Sequence, residues 1–301
     1  MRQGAVYMNG KLAGILTEIS PTEYVFKYDD TYYADDMQPA VSLTLPKTQQ
    51  EYRSAYLFPF FSNMLSEGRN RIVQSRMLHI DENDSPIAIK HLFDGRQVSP
   101  FLDYTPIDDD NNSAAQEEFL HNQERISLSG VQPKYSMIVR NGKLALTQKG
   151  EQGHYILKPK LSDFRNRIYS SANENLTMQI ASQVFGIETA ANGLCFFKGG
   201  EPAYITKRFD VKPDGTKRRK EDFASLAGLT TQNGGKNYKY EYLTYEECGE
   251  LIRRYLPAWK VETLKFFDLI IFNFLICNGD AHLKNFSVLE TESGDFRLSP
   301  A

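Results

Sequence analysis

Residues 277–285 read Cys277-Asn278-Gly279-Asp280-Ala281-His282-Leu283-Lys284-Asn285, and they place Asp280 and Asn285 five positions apart. A carboxylate and an amide oxygen at that separation on one loop suit phosphoryl transfer. The first takes the proton of an attacking hydroxyl, and the second holds Mg2+ beside the moving phosphate. Both must aim at one phosphorus atom, so the loop needs a rigid platform. The apolar stretch Phe266 to Cys277 leads straight into it and reads as a buried helix. It is too short for a membrane span, which takes about 20 residues. Taken by itself, Asn278-Gly279-Asp280 is equally a turn that ends a helix, because all three residue types favour turns.

The elements that would carry such a loop can be read along the chain. Ala5–Met8 and Lys11–Leu16 flank Asn9-Gly10, a pair that tolerates positive φ and so predicts a hairpin. Tyr24–Tyr28 continues the strand character, and Pro39–Pro46 alternates Val41, Leu43 and Leu45 with small polar residues. A helix is expected over Ala55–Leu65, and Arg69–Arg76 extends it or begins another. Gln97–Gln123, with Pro100, Pro106 and Asp108–Asp110, has the composition of a linker. The second half predicts a hairpin around Asn141-Gly142, a strand through His154–Lys160, and a helix over Glu174–Phe185 closed by Gly186. Strands follow at Leu194–Lys198 and Ala203–Phe209, then helices at Glu221–Leu226, Tyr245–Tyr255 and Glu262–Cys277. Tyr238, Tyr240 and Tyr242 alternate like a strand face, with packing as their role. The fold class is α+β, and there are no internal repeats.

Composition narrows the function classes. Of the 301 residues 41% are hydrophobic and 24% charged, as in ordinary soluble proteins. A net charge of -3 and a pI near 6.0 give no global drive toward nucleic acid or anionic membrane. Cys195, Cys248 and Cys277 match neither a metal motif nor a disulfide framework, and the N-terminus lacks a signal-peptide core. A cytoplasmic protein is expected. The run Lys217–Lys220 reads as a solvated loop, and Asp108–Asp110 as a solvated linker.

The string NGDAHLKNFS resembles the catalytic loop of HipA-type serine/threonine protein kinase toxins. Other segments match that family in its order: MNGKLAG, FKY and SLTLP in the first 70 residues, then SGVQPK at 129–134, YILKP at 155–159, Asn173-Glu174, Lys207-Arg208-Phe209-Asp210, Glu221-Asp222-Phe223 and Lys239-Tyr240-Glu241. The resemblance implies a protein-kinase-like two-lobed fold with an added β-rich N-terminal subdomain. It divides the chain into that subdomain at 1–110, a linker at 111–124 and a kinase core at 125–301. The core comprises an N-lobe at 125–210 and a helical C-lobe at 211–301.

Residue by residue, the resemblance makes Asp280 the catalytic base, and Asn285 and Asp280 the metal residues. Lys158 would hold ATP phosphates, and Glu174 would position Lys158. ATP contacts are implied for Ser129, Gly130 and Val131 in a phosphate loop, for Lys207, Arg208 and Phe209 at the hinge, and for His282. A structural role is the better reading of His282. Ser127 matches an autophosphorylation position. The implied partners are a protein substrate such as an aminoacyl-tRNA synthetase and a small helix-turn-helix antitoxin. DNA would be reached only through the antitoxin, and no membrane is involved.

The sequence departs from the family in two places. Ser85–Pro106 fits poorly the Gly-rich strand region of the family. The chain ends Arg297-Leu298-Ser299-Pro300-Ala301, where the family continues to a second acidic metal ligand. The expectation is an incomplete C-lobe with impaired transfer, and the alternative to an enzyme is a kinase-fold module that binds antitoxin or ATP without turnover.

Overall fold

The computed structural model describes residues 2–64, 134–148, 151–160 and 167–301. In chain order the elements begin with β1 (Arg2–Met8), β2 (Lys11–Ser20), β3 (Glu23–Tyr28), α1 (Asp30–Ala34), β4 (Glu51–Ser54) and α2 (Pro59–Asn63). There follow β5 (Tyr135–Arg140), β6 (Lys143–Leu146), β7 (Tyr155–Pro159), α3 (Ser170–Gln183), β8 (Asn192–Phe196) and β9 (Pro202–Lys207). The last are β10 (Lys220–Asp222), α4 (Phe223–Leu226), α5 (Thr231–Gly234), α6 (Tyr238–Glu241), α7 (Tyr245–Tyr255), α8 (Trp259–Leu275), β11 (Ser287–Glu290) and β12 (Phe296–Leu298).

These elements form two compact units. The described residues of the first are 2–64, 220–263 and 281–298. Its N-terminal sheet is antiparallel in the order β1-β2-β3-β4. Asn9 and Gly10 both take positive φ at the β1–β2 turn, as the residue pair demands. Gly14 lets β2 approach β3, since a Cβ there would stand 2.4 Å from the Lys27 carbonyl oxygen. The core gathers Leu16, Phe26, Tyr28 and Phe61, with Phe26 edge-on to both Tyr28 and Phe61. A second, three-stranded sheet runs β10-β11-β12. The start of α7 is set by a capping box in which Thr244 and Glu247 each bond the other's backbone N–H.

The second unit comprises, among described residues, 134–148, 151–160, 167–219, 264–280 and 299–301. Its sheet runs β6-β5-β7-β9-β8, antiparallel throughout, with Asn141-Gly142 closing the β5–β6 hairpin at positive φ. Tyr135, Met137, Leu157 and Ala203 form its core. Helix α3 packs on β8 and β9 and ends ahead of Gly186, which takes φ 67°.

The structure corrects several sequence expectations. The helix expected over Ala55–Leu65 is only α2. Pro59 occupies its first turn, where a missing N–H costs nothing, and Tyr56 lies outside it. Glu221–Leu226 is not one helix: Glu221 and Asp222 end strand β10, and Asp222 caps α4. The tyrosines do not form a strand face, because Tyr238 and Tyr240 sit on α6. Tyr238 is buried, while Tyr240 and Tyr242 are exposed. Strands β11 and β12 fall in the part expected to be largely helical, where no strand was assigned. The stretch Phe266–Cys277 is helical through Leu275 but not wholly buried. Phe266 and Phe272 face inward, whereas Phe267, Phe274 and Leu275 are exposed. Arg69–Arg76, the linker and the Ser85–Pro106 stretch lie outside the described residues. Among the described residues no helix is long and apolar enough to cross a membrane.

Candidate functional site

Strand β7 alternates, with Leu157 and Pro159 on the buried face and Lys158 on the other. The Lys158 ammonium forms an ion pair with the Glu174 carboxylate, which rises from the N-terminal part of α3. It also lies 5.4 Å from the centre of the Tyr204 ring, on the β9 residue paired with it. Ser171 at the start of α3 donates its hydroxyl to the Lys158 carbonyl at 3.3 Å, so the helix is fastened to the strand at two levels. Lys158 keeps 20% of its side-chain surface accessible. An ammonium carries three donors, so this one can still meet phosphate oxygens. Tyr204 sits beneath the pair, and burial, reinforced by the Glu174 charge, pushes its phenol above the ordinary value.

At the end of β9, Lys207 is exposed and Phe209 half-buried. Arg208 grips Asp210 in a two-pronged pair, with Nε to Oδ1 at 2.9 Å and Nη2 to Oδ2 at 2.5 Å. The Arg208 guanidinium is therefore largely committed within its own turn. The Arg208 backbone N–H donates to the His154 carbonyl at 2.8 Å. Buried His154 Nε2 and Arg208 Nη1 have no hydrogen-bond partner among the described residues.

Helix α8 closes through a turn. Cys277 takes φ 55°, the Asn278 N–H returns to the Asn273 carbonyl, and the two asparagine side chains bond at 2.9 Å. Asn278 Oδ1 then accepts from the Asp280 N–H at 3.2 Å, leaving Asp280 exposed. The turn reading of Asn278-Gly279-Asp280 is thus correct, and the turn is what presents the carboxylate.

In the first unit, residues 282–286 are held by backbone bonds. The Asn285 N–H donates to the His282 carbonyl at 2.8 Å and the Leu283 N–H to the Lys239 carbonyl at 3.0 Å. The Phe223 N–H is shared between the carbonyls of Leu283 and Phe286, on either side of Asn285. His282 is buried and packs edge-on against Tyr240 at 4.8 Å. Lys284 donates to the Asn63 carbonyl at 3.1 Å. Asp222 stands near Lys284. Burial pushes its carboxyl up, and the ammonium opposes that shift. Sequence reasoning missed Asn63, Tyr204 and His154. Nothing in FFSNM marks Asn63 out, and the motif around Asp222 was read as helix.

The model of the HipA-like C-terminal domain matches residues 126–301, more than half of the chain. The chain belongs to the HipA-like kinase family. The model of the HipA N-terminal domain matches residues 4–90 of this HipA-like chain. Y4mE of Sinorhizobium fredii (strain NBRC 101917 / NGR234) is 28% identical over 96% of the HipA-like chain and 74% of its own length. Y4dM of the same strain is 26% identical over 98% and 75%. Both relatives have the word kinase in their names. Among solved structures, HipA of the Shewanella oneidensis MR-1 complex with HipB and operator DNA superimposes with a TM-score of 0.70. It covers 98% of this chain and 74% of that one at 19% identity. The likeness establishes a kinase-like α+β fold. Ser127, Ser129, Gly130 and Val131 of this HipA-like chain lie outside the described residues.

The donors implied for a metal are oxygens of Asp280 and Asn285, hard ligands of the kind Mg2+ takes. Mg2+ commonly uses one or two protein oxygens together with substrate phosphates. Among the described residues no cluster of three or more His, Cys, Asp or Glu side chains could hold a metal ion. The donor types suit the ion.

Proposed function

We propose that this chain transfers the γ-phosphoryl group of ATP to a serine or threonine hydroxyl of a protein. The observation that carries the reading is the Lys158–Glu174 ion pair on the β7 and α3 surfaces, in a chain whose helix α8 ends in a turn presenting Asp280. In phosphoryl transfer the protein acts mainly by positioning and charge. Glu174 fixes the Lys158 ammonium so that its remaining hydrogens meet phosphate oxygens. Asp280 orients the acceptor hydroxyl and takes its proton as the new O–P bond forms and ADP departs. Asn285 offers its amide oxygen to Mg2+, which when bound supplies positive charge against the phosphate oxygens. His282, buried against Tyr240, holds the loop's backbone rather than reacting. Phe209, with Lys207 and Arg208 at the end of β9, would contact adenine.

The family likeness supports a reading of the partners. A protein substrate in translation, such as an aminoacyl-tRNA synthetase, and a small helix-turn-helix antitoxin fit a HipA-like chain. The solved HipA was captured with HipB and operator DNA, and contact with DNA here would run through the antitoxin. Ser127 is the proposed self-phosphorylation site, since a phosphate there adds about two negative charges beside the phosphate loop. The test is phosphotransfer from radiolabelled ATP by the intact chain and by Asp280→Ala. The reading expects a loss of at least about a hundredfold, the usual reach of general-base removal. Equal rates would remove Asp280 from the mechanism, and no transfer by either protein would favour a module that binds without turnover.

A further inference from the structure

We infer that Asn63 at the end of α2 positions Asn285 through Lys284, so that the N-terminal segment sets the register of the metal-binding loop. The metal role of Asn285 rests on the function proposed above, but the tether does not. Asn63 is 5% exposed, and its side-chain amide and its backbone carbonyl are all hydrogen-bonded. Its Nδ2 donates to the Leu229 carbonyl at 2.9 Å, its Oδ1 accepts from the Tyr238 hydroxyl at 2.7 Å, and its carbonyl accepts from Lys284 Nζ at 3.1 Å. That carbonyl belongs to the last residue of α2, where a helix leaves its C=O groups without intrahelical donors. A cation is a suitable partner for it.

Lys284 immediately precedes Asn285, and the backbone on both sides of Asn285 is already clamped by the Phe223 N–H. The backbone clamp fixes where the loop passes. The lysine fixes how residue 284 is turned, and with it the direction of its neighbour. Asp222, the cap of α4, lies close enough to Lys284 for their charges to act on each other, with Lys220 as a second cation beside that carboxylate. A lysine next to a metal ligand invites the assumption that it binds phosphate. Here its ammonium is turned to the α2 carbonyl instead. Asn63 and Lys284 are thus positioning residues.

The experiment is amide hydrogen exchange on the full 301-residue chain, without nucleotide, for the unsubstituted protein, Lys284→Met, Lys284→Arg and Asn63→Ala. Lys284→Met should speed exchange at residues 283–286 about tenfold while leaving α7 and the β1–β4 sheet unchanged, the signature of local opening. Lys284→Arg should restore protection. Asn63→Ala should loosen the same residues, and Lys284→Met carries the test if that variant does not fold. Unchanged exchange at 283–286 in Lys284→Met overturns the inference, as does acceleration spread evenly over the unit. A second arm measures ATP binding against Mg2+ concentration. Lys284→Met should raise the Mg2+ midpoint about tenfold while metal-free ATP affinity stays the same. An unsubstituted chain that binds no ATP sinks the kinase reading, and the nucleotide-free exchange arm still decides the tether.

Discussion

Replacing Glu221 by alanine should cost the first unit about 3–4 kcal/mol, since hydrogen bonds to a charged group are worth about 1.5–3 kcal/mol each. Glu221 is 5% exposed. Its Oε2 accepts from the Ser42 hydroxyl at 2.8 Å and its Oε1 from the Leu43 N–H at 2.7 Å. Truncation strands the buried Ser42 hydroxyl and removes the partner of the part-buried Leu43 N–H. The sum is discounted because Ser42 also lies 2.8 Å from the Thr44 hydroxyl, which can share its proton. Glu221→Gln keeps an oxygen for the Leu43 N–H and turns an amide toward Ser42, whose hydroxyl can accept. It loses the charge but strands no donor, so about 1–2 kcal/mol is expected. Urea unfolding reads both, with Trp259, the single tryptophan, as the fluorescent probe within the same unit. A loss of about 3–4 kcal/mol is a large share of ordinary domain stability, so the midpoint should move clearly. A loss below about 1 kcal/mol for Glu221→Ala, the level of a typical neutral hydrogen bond, would refute the reasoning. Equal losses for the two variants would refute it too, because geometry and charge would then not be separable.

Two further predictions follow from buried ionisable groups. The Asp222 carboxyl is raised from its ordinary 3.8 by burial, so the folded chain binds that proton more tightly than the unfolded one. Stability from this group therefore falls as pH rises from about 4 through the folded pKa. Asp222→Asn keeps an oxygen for the Ser225 N–H, so its urea midpoint should gain on that of the unsubstituted chain as pH rises from 4 to 8. Parallel profiles would contradict this. Burial also pushes the Cys248 thiol up to about 12, leaving about one thiolate in ten thousand at pH 8. Exposed Cys277 should label with a thiol reagent in the native protein, and Cys248 only after unfolding. Native labelling of Cys248 at the rate of Cys277 would show the α7 packing to be wrong.

The elements legible in the sequence were those whose signal is local. Asn9-Gly10 and Asn141-Gly142 fix their hairpins because both residues of each pair accept positive φ. Thr244 and Glu247 fix the start of α7 through a reciprocal cap. Asp280 could be read both as a turn residue and as a base, and the structure shows the turn doing the presenting. Strands β10 to β12 run for three or four residues each, too short to display alternation, and owe their form to pairing with one another. The inward residues at the C-terminal end of α8 could not be told from the outward ones, because Leu269–Leu275 is apolar apart from Asn273. Asn63 was invisible for a related reason. A buried asparagine matters through its partners Leu229, Tyr238 and Lys284, all more than 160 residues away in the chain.

The central claim is that Lys158, Asp280 and Asn285 serve one nucleotide. A crystal structure with Mg2+ and a non-hydrolysable ATP analogue tests it most directly. The Lys158 ammonium should lie on a phosphate oxygen, the Asn285 amide oxygen about 2.1 Å from Mg2+, and Asp280 should face the terminal phosphate. A nucleotide seated elsewhere, or one that Lys158 does not reach, would contradict it.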